Sequence, residues 1–463
     1  MSTAFTMRRM LCALMFVIAP FASAVNVSSN DRGEVLLFPL YTAQNGWDTY
    51  LNLFTQGGLV HIKFRSAQTG EVLDSFHIYG GAASTFRASL STIAPGKTVM
   101  RVAEGQCVIG GQVGSEVLHQ GGVGTDLPLS ADIGFIEVFA TGLIMNGMQP
   151  EYGRTGFSCA EYAANWATNG RWQTHPDADM DAAGYTAQIH GTVNFVNVTQ
   201  GLSSANHATA LTNTGARFTH QHPTRNTLDL TQTQGGIEAV AQALHVTGIS
   251  NVMDHSSDVN AYTEWVVTYP LVGYGYEKPY TVQQDGEGLN CGGWTVISDT
   301  NELGSVRSGG IISSDGSSTD FYPIRTLDSI VPAPSLAPFF CEAANIQYLQ
   351  HLQPRHPNSS SLSTASNRLG FVSAVAWQSW FTQVSFEFER PEDGELPVYP
   401  DRRHVPQAPT NVTYHPMKHP VIGFRLTSYE NGTLNGGGTL ANYSFLTPHT
   451  FGCDSKDGQR CKD

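Results

Sequence analysis

The chain has 463 residues, with 25 basic against 39 acidic side chains and a formal net charge of −14. So acidic a chain repels phosphate backbones, which excludes nucleic acid as a partner, because binding there needs a basic face that releases counterions. Charged residues are only 14 %, against about a quarter in ordinary proteins, while 41 % are apolar and 47 glycines and 23 prolines punctuate the sequence; this excludes a disordered chain and predicts a turn-rich β protein.

Residues 1–24, MSTAFTMRRMLCALMFVIAPFASA, predict a secretory signal peptide. Arg8 and Arg9 precede an apolar run from Met10 to Ala19, followed by Pro20 and the small-x-small end Ala22-Ser23-Ala24, with cleavage before Val25. The run is about half the roughly 20 apolar residues a membrane anchor needs. No later segment is apolar for long enough to span a bilayer as a helix, so a secreted or surface-held protein is expected.

EVLLFPLY (34–41) is rich in strand formers, and Asn45-Gly46 is the dipeptide that accepts positive φ, so strand, turn and strand are predicted. WDTYLNLFT (47–55) alternates Trp47, Thr49, Leu51, Leu53 and Thr55 with Asp48, Tyr50, Asn52 and Phe54. LVHIKFR (59–65) sets Val60, Ile62 and Phe64 inward against His61, Lys63 and Arg65 as its exposed side. EVLDSFHIY (71–79), KTVMRVAE (97–104) and IGFIEVFAT (133–141) continue the series. Roughly seven short strands at such spacing predict an Ig-like β-sandwich over residues 25–150. Residues 151–463 then form a larger β-rich region, either separate or continuous with the first. Two helices interrupt it, CAEYAANWATNGRW (159–172), stopping near Asn169-Gly170, and GGIEAVAQALHVTG (235–248); both are expected to cap sheet edges or ends. Strands resume at 191–199, 263–272, 293–298, 370–377, 382–389 and 420–429, with long polar loops at 351–367 and 390–419.

Of seven cysteines, Cys12 lies in the leader, leaving Cys107, Cys159, Cys291, Cys341, Cys453 and Cys461. An even number in an exported chain predicts disulfides, and the sequential set is expected: Cys107 with Cys159, Cys291 with Cys341, Cys453 with Cys461. A zinc site would need CxxC pairs, which do not occur. PDADMDAAG (176–184) offers Asp177, Asp179 and Asp181 at alternate positions, a spacing that can aim oxygen ligands at calcium; the EF-hand pattern fails at Ala182 and Gln188, so a solvated acidic loop is the competing reading. Histidine pairs at His220 and His222, His351 and His356, and His415 and His419 have loop spacings and no HExxH context. There is no GxSxG elbow. Glu137 and Glu264 lie in strands among apolar neighbours, where burial would raise a carboxyl pKa, although a Glu on a strand's wet face is commoner. Trp47, Tyr50, Trp166, Trp172, Trp377, Trp380 and Phe381 are candidates for an aromatic platform for sugars, with WQSWF (377–381) its best location and core packing the alternative.

GEVLLFPLYTAQNGWDTYLNLFT and VHIKFRSAQTGEVLDSFHIY resemble a family of largely uncharacterised secreted bacterial proteins, some described as cell-surface proteins, whose N-terminal strands run GxVLxFPYYT, NGWDTxxN, VKVRFxE and VLDFNxYL. The likeness extends to IGFIEVFATG, Cys159-Ala160, TEWVVTYP, PVIGFRLTSYENG and LANYSF, while KFRSAQTG lacks the family's acidic residue after the third strand. The resemblance implies a Gram-negative source and a surface-associated role, and supplies no catalytic residues. The function expected is a non-enzymatic structural or adhesive protein of the cell surface or extracellular matrix, working through sheet faces and edges toward further copies, surface glycans or proteins. The alternatives are a glycan-binding module or carbohydrate-active enzyme, and an outer-membrane β-barrel, against which the helices, cysteines and polar loops argue. No cofactor beyond the calcium is expected.

Overall fold

The computed structural model describes residues 25–276 with short breaks and further segments between 296 and 452; residues 1–24, 277–295, 320–341, 389–414 and 453–463 lie outside the description. The expected signal peptide is therefore among the residues not described. The main elements are β1 (Asn26–Val27), β2 (Arg32–Gly33), β3 (Val35–Thr42), β4 (Trp47–Thr55), β5 (Val60–Ser66), β6 (Val72–Tyr79), β7 (Ser84–Ala94), β8 (Lys97–Val102), β9 (Cys107–Gln112), β10 (His119–Gly121), β11 (Asp126–Leu129) and β12 (Ile133–Ala140), then helices α1 (Cys159–Trp166) and α2 (Arg171–Thr174). Next come β13 (Ile189–Asn197), β14 (Leu202–His207), β15 (Thr209–Thr212), helix α3 (Gly236–Leu244), β16 (Gly248–Ser256), β17 (Ala261–Thr268), β18 (Ala344–His351), β19 (Trp377–Ser385), β20 (Ile422–Leu434) and β21 (Thr439–Pro448).

The protein is mainly β, and its strands pair almost throughout in antiparallel fashion. One sheet runs β1-β15-β3-β12-β5-β6-β9-β10, and a second runs β11-β8-β7-β4-β13-β14 with β2 attached to β13. The two share one apolar core: Leu36, Phe38, Ile62, Phe64, Phe76 and Ile136 from the first sheet meet Leu51, Leu53, Phe86, Met100, Val193 and Phe195 from the second. The predicted alternation of β4 is observed, with Trp47, Thr49, Leu51, Leu53 and Thr55 all buried. Asn45 and Gly46 take φ of 53° and 80° as expected, yet the turn joins two sheets rather than two paired strands, because β3 is already flanked by β12 and β15. Thr49 replaces the missing ladder: its Oγ1 accepts from Thr42 N at 3.0 Å and donates to Thr42 O at 2.7 Å.

Eight strands in the first sheet and seven in the second exceed the roughly seven of an Ig domain, and β13 to β15 complete both sheets, which thus draw strands from either side of residue 150. A third sheet, in which β17 lies between β18 and β20, β20 pairs with β21, and β16 pairs with β19, closes against the sandwich. Val266, Phe424 and Leu426 join the same core, and Thr268 Oγ1 donates to Pro39 O at 2.7 Å.

The two predicted helical stretches cover a sheet face rather than cap edges. α1 begins with a capping box between Ser158 and Glu161, and Asn169 at φ 66° separates it from α2. Tyr162, Trp166 and Trp172 pack on Leu59, Tyr79 and Ile109 of the first sheet's outer side, while Val240, Ala241 and Leu244 of α3 pack on Val35, Leu37, Phe139 and Leu211 of the same side. Cys107 and Cys159 form the expected disulfide, with Cα atoms 5.4 Å apart; Cys291, Cys341, Cys453 and Cys461 lie outside the described residues.

Candidate functional site

The two outer faces of the sandwich differ. On the first sheet, the side expected to be exposed is buried: His61 and Lys63 are 0 % exposed and Arg65 is 1 %. The correction has a physical cause, since residues 221–230 and Tyr274 roof this side between the helices. Arg65 Nε lies 2.6 Å from Glu137 Oε2, its Nη1 donates to Gly70 O at 2.6 Å, and its guanidinium stacks 4.2 Å from the centre of the Tyr274 ring. Tyr274 Oη donates to Glu137 Oε2 at 2.8 Å. Burial lowers the Arg65 pKa, but Glu137 and then Tyr274 outweigh it and leave it above the ordinary value. Burial also holds the Tyr274 hydroxyl well above its ordinary pKa, so it remains a donor. Lys63 donates to Asn226 Oδ1 at 2.6 Å, and its pKa is pushed down to about 8, by burial first and against the pull of Glu137. Beside it, His61 meets Ser75 Oγ at 2.8 Å and His77 Nε2 at 3.2 Å, and His77 Nε2 lies 2.6 Å from Gln221 O. These groups bond to one another and to the residues above them, which fastens residues 221–230 and Tyr274 to the sheet.

The second sheet presents its outer face to solvent. From β4 emerge Tyr50, Asn52 and Phe54, with Tyr50 and Phe54 each 39 % exposed. Strand register sets Tyr50 between Ser89 and Asn194, Asn52 between Arg87 and Thr192, and Phe54 between Thr85 and His190. Backbone groups are consumed in the ladders, so this face acts through side chains: two aromatic rings about 13 Å apart along the strand, with amides, hydroxyls and one guanidinium between and beside them. Such groups offer apolar ring contact together with hydrogen-bond donors and acceptors. At one end of the face the ligating atoms of Asp31, His190 and His207 all lie within 4.8 Å of one another.

The residues singled out in the sequence fall as follows. Trp47, Trp166 and Trp172 are core side chains, at most 1 % exposed, which removes them from any sugar platform; Tyr50 stays exposed, joined by Phe54. Trp377, Trp380 and Phe381 lie on β19 opposite Ser256, Met253 and Val252, and their side chains lie outside the description. Glu137 and Glu264 are both wholly buried, so the wet-face reading fails for each; Glu264 accepts from Ser361 N at 3.0 Å and from Ser361 Oγ. Asp179 pairs with Arg171 at 3.0 Å and accepts from Trp172 Nε1 at 3.1 Å, securing α2, while Asp177 and Asp181 lie outside the described residues. Each predicted histidine pair has a member outside the description: His222 packs against the Trp166 ring and His419 is buried opposite Val246, while His220 and His356 are not described, nor are the side chains of His351 and His415. His190 and His207 carry no local signal, because they lie on two strands of one hairpin. Pairing GTVNFVN with LSSANH about their turn aligns Thr192 with His207 and brings the two rings near.

No protein-family model, curated protein or solved structure matches the chain.

Proposed function

We propose that this is an exported, non-enzymatic adhesive protein of the cell surface or extracellular matrix that holds glycans through the outer face of its second sheet. One observation carries the reading: the sandwich roofs one outer face and leaves the other open, with Tyr50 and Phe54 exposed there among Asn52, Arg87, Thr192 and Asn194. The Cys107–Cys159 bridge supports an oxidising compartment, in keeping with the leader expected at residues 1–24. Burial of Glu137 and Glu264 in internal hydrogen bonds favours binding over glycoside cleavage, which needs paired carboxyl groups beside the scissile bond.

The test is retention of the purified protein on immobilised neutral and amino-sugar polysaccharides, compared with Tyr50→Ala and Phe54→Ala. Partly exposed aromatics can be removed without opening the core, and each loss should weaken binding roughly tenfold or more if the rings are anchors. Equal retention of wild type and both variants would overturn the reading. So would a wild type that ignores every glycan but sediments as filaments, since that outcome assigns the adhesive role to strand edges and self-assembly.

A further inference from the structure

We infer that Asp31, His190 and His207 form a binding site for a divalent transition-metal ion of the zinc class, independent of the glycan reading. Two imidazoles and one carboxylate are the donor set such ions prefer, whereas calcium and magnesium seek oxygen ligands alone. The three ligating atoms lie within 4.8 Å of one another. Ligands about 2.1 Å from a shared tetrahedral ion stand about 3.4 Å apart, so rotations closing about 1.4 Å at most would complete the site.

The site is built from paired strands. His190 on β13 and His207 on β14 project from the same side of adjacent antiparallel strands, the latter opposite Thr192, with ring centroids 5.5 Å apart. Asp31 ends the turn that leads into β2, where Arg32 pairs with His190. Its φ of 56° is a left-handed conformation that Asp tolerates better than most residues, and Asn30 Oδ1 braces the turn by accepting from Arg32 N at 3.2 Å.

His207 Nδ1 and Asp31 Oδ2 stand 3.7 Å apart, beyond a hydrogen bond. Arg32 is exposed, so water screens its repulsion of a cation. Half-exposure of Asp31 and His207 gives the ion a way in and leaves a fourth position for water or for a donor on whatever the open face holds. An ion here would also tie together β2, β13 and β14, three strands at the margin of that face.

The experiment is calorimetric titration of chelator-treated full-length protein with zinc chloride, repeated with cobalt(II) to read coordination from its visible spectrum. His207→Ala removes an exposed ligand and His190→Gln removes a half-buried one with little change in volume, so both variants should fold. The expected result is one zinc more per wild-type chain than per variant, with affinity lost by at least the roughly 10- to 100-fold that even outer-sphere partners of a ligand are worth, and four- or five-coordinate cobalt bands present in the wild type alone. Thermal stabilisation by zinc should likewise vanish in the variants. Zinc uptake that is the same in wild type, His207→Ala and His190→Gln would overturn the site, as would binding of calcium in preference to zinc.

Discussion

Arg65 gives up water on every side, and in its place stand the Glu137 carboxylate at 2.6 Å, the Gly70 carbonyl and the Tyr274 ring. Breaking such a pair from one side strands a buried charge and costs about 3–5 kcal/mol, whereas replacing both partners with apolar side chains of similar size is often neutral. Arg65→Met should therefore lower unfolding stability in urea by about 3–5 kcal/mol, and Arg65→Met combined with Glu137→Leu should recover most of that loss. A double variant as unstable as the sum of the singles would show that the two side chains are not coupled. The strand itself was readable, since HIKFR alternates correctly between two faces. Its charged side reads as solvent-facing because the roof comes from residues 221–230 and Tyr274, far along the chain, and no local pattern announces a cover that distant.

α1 has eight residues, too few for a stable helix alone, and three features hold it in place. The Ser158 and Glu161 capping box closes its first turn, the disulfide pins its first residue to β9, and Trp166 Nε1 donates to Tyr79 Oη at 2.5 Å while Tyr162 stacks on the same ring at 4.1 Å. A bridge between residues 52 apart restricts the unfolded chain by at most about 4 kcal/mol. Replacing Cys107 and Cys159 together by Ser should cost about 2–4 kcal/mol, and tryptophan emission should shift to the red at urea concentrations where the strand signal in circular dichroism is still intact, because the helix lifts away first. Coincident transitions in the variant would refute that order. Elements of this kind are legible where their signals are local: Ser158-x-x-Glu161 starts the helix, Asn169-Gly170 separates it from α2, and Asn45-Gly46 makes a turn. Where an element goes is a different matter. Asn45-Gly46 specifies positive φ and says nothing about whether β3 and β4 pair, which is decided by β12 and β15 occupying the flanks of β3.

Across the whole molecule the third sheet is welded to the sandwich. Phe195 meets Phe424 at 5.7 Å, Ser204 Oγ lies 2.8 Å from Ser444 Oγ, and Thr268 Oγ1 donates to Pro39 O at 2.7 Å, so loss of the third sheet would open the shared core. Two histidines make this region acid-sensitive. His449 packs on the Trp265 ring, its Nε2 donates to Val266 O at 2.9 Å, and Asn251 Nδ2 stands 3.4 Å from its Nδ1. A second proton on the ring would therefore point at another donor. Burial above all holds its pKa down to about 4, against the Val266 hydrogen bond; burial and then His245 hold His419 down to about 4 as well. In the folded protein both rings stay neutral to about pH 4, while the unfolded chain protonates them near the ordinary 6.5. Between those values the unfolded state binds more protons, so stability is complete above pH 6.5 and declines as pH falls toward 4, by on the order of 3 kcal/mol for each fully buried histidine. The urea midpoint of the wild type should fall across that window. His449→Gln keeps an N–H for Val266 O but cannot titrate, so it should fall less steeply, and parallel declines in the two proteins would remove His449 as the cause.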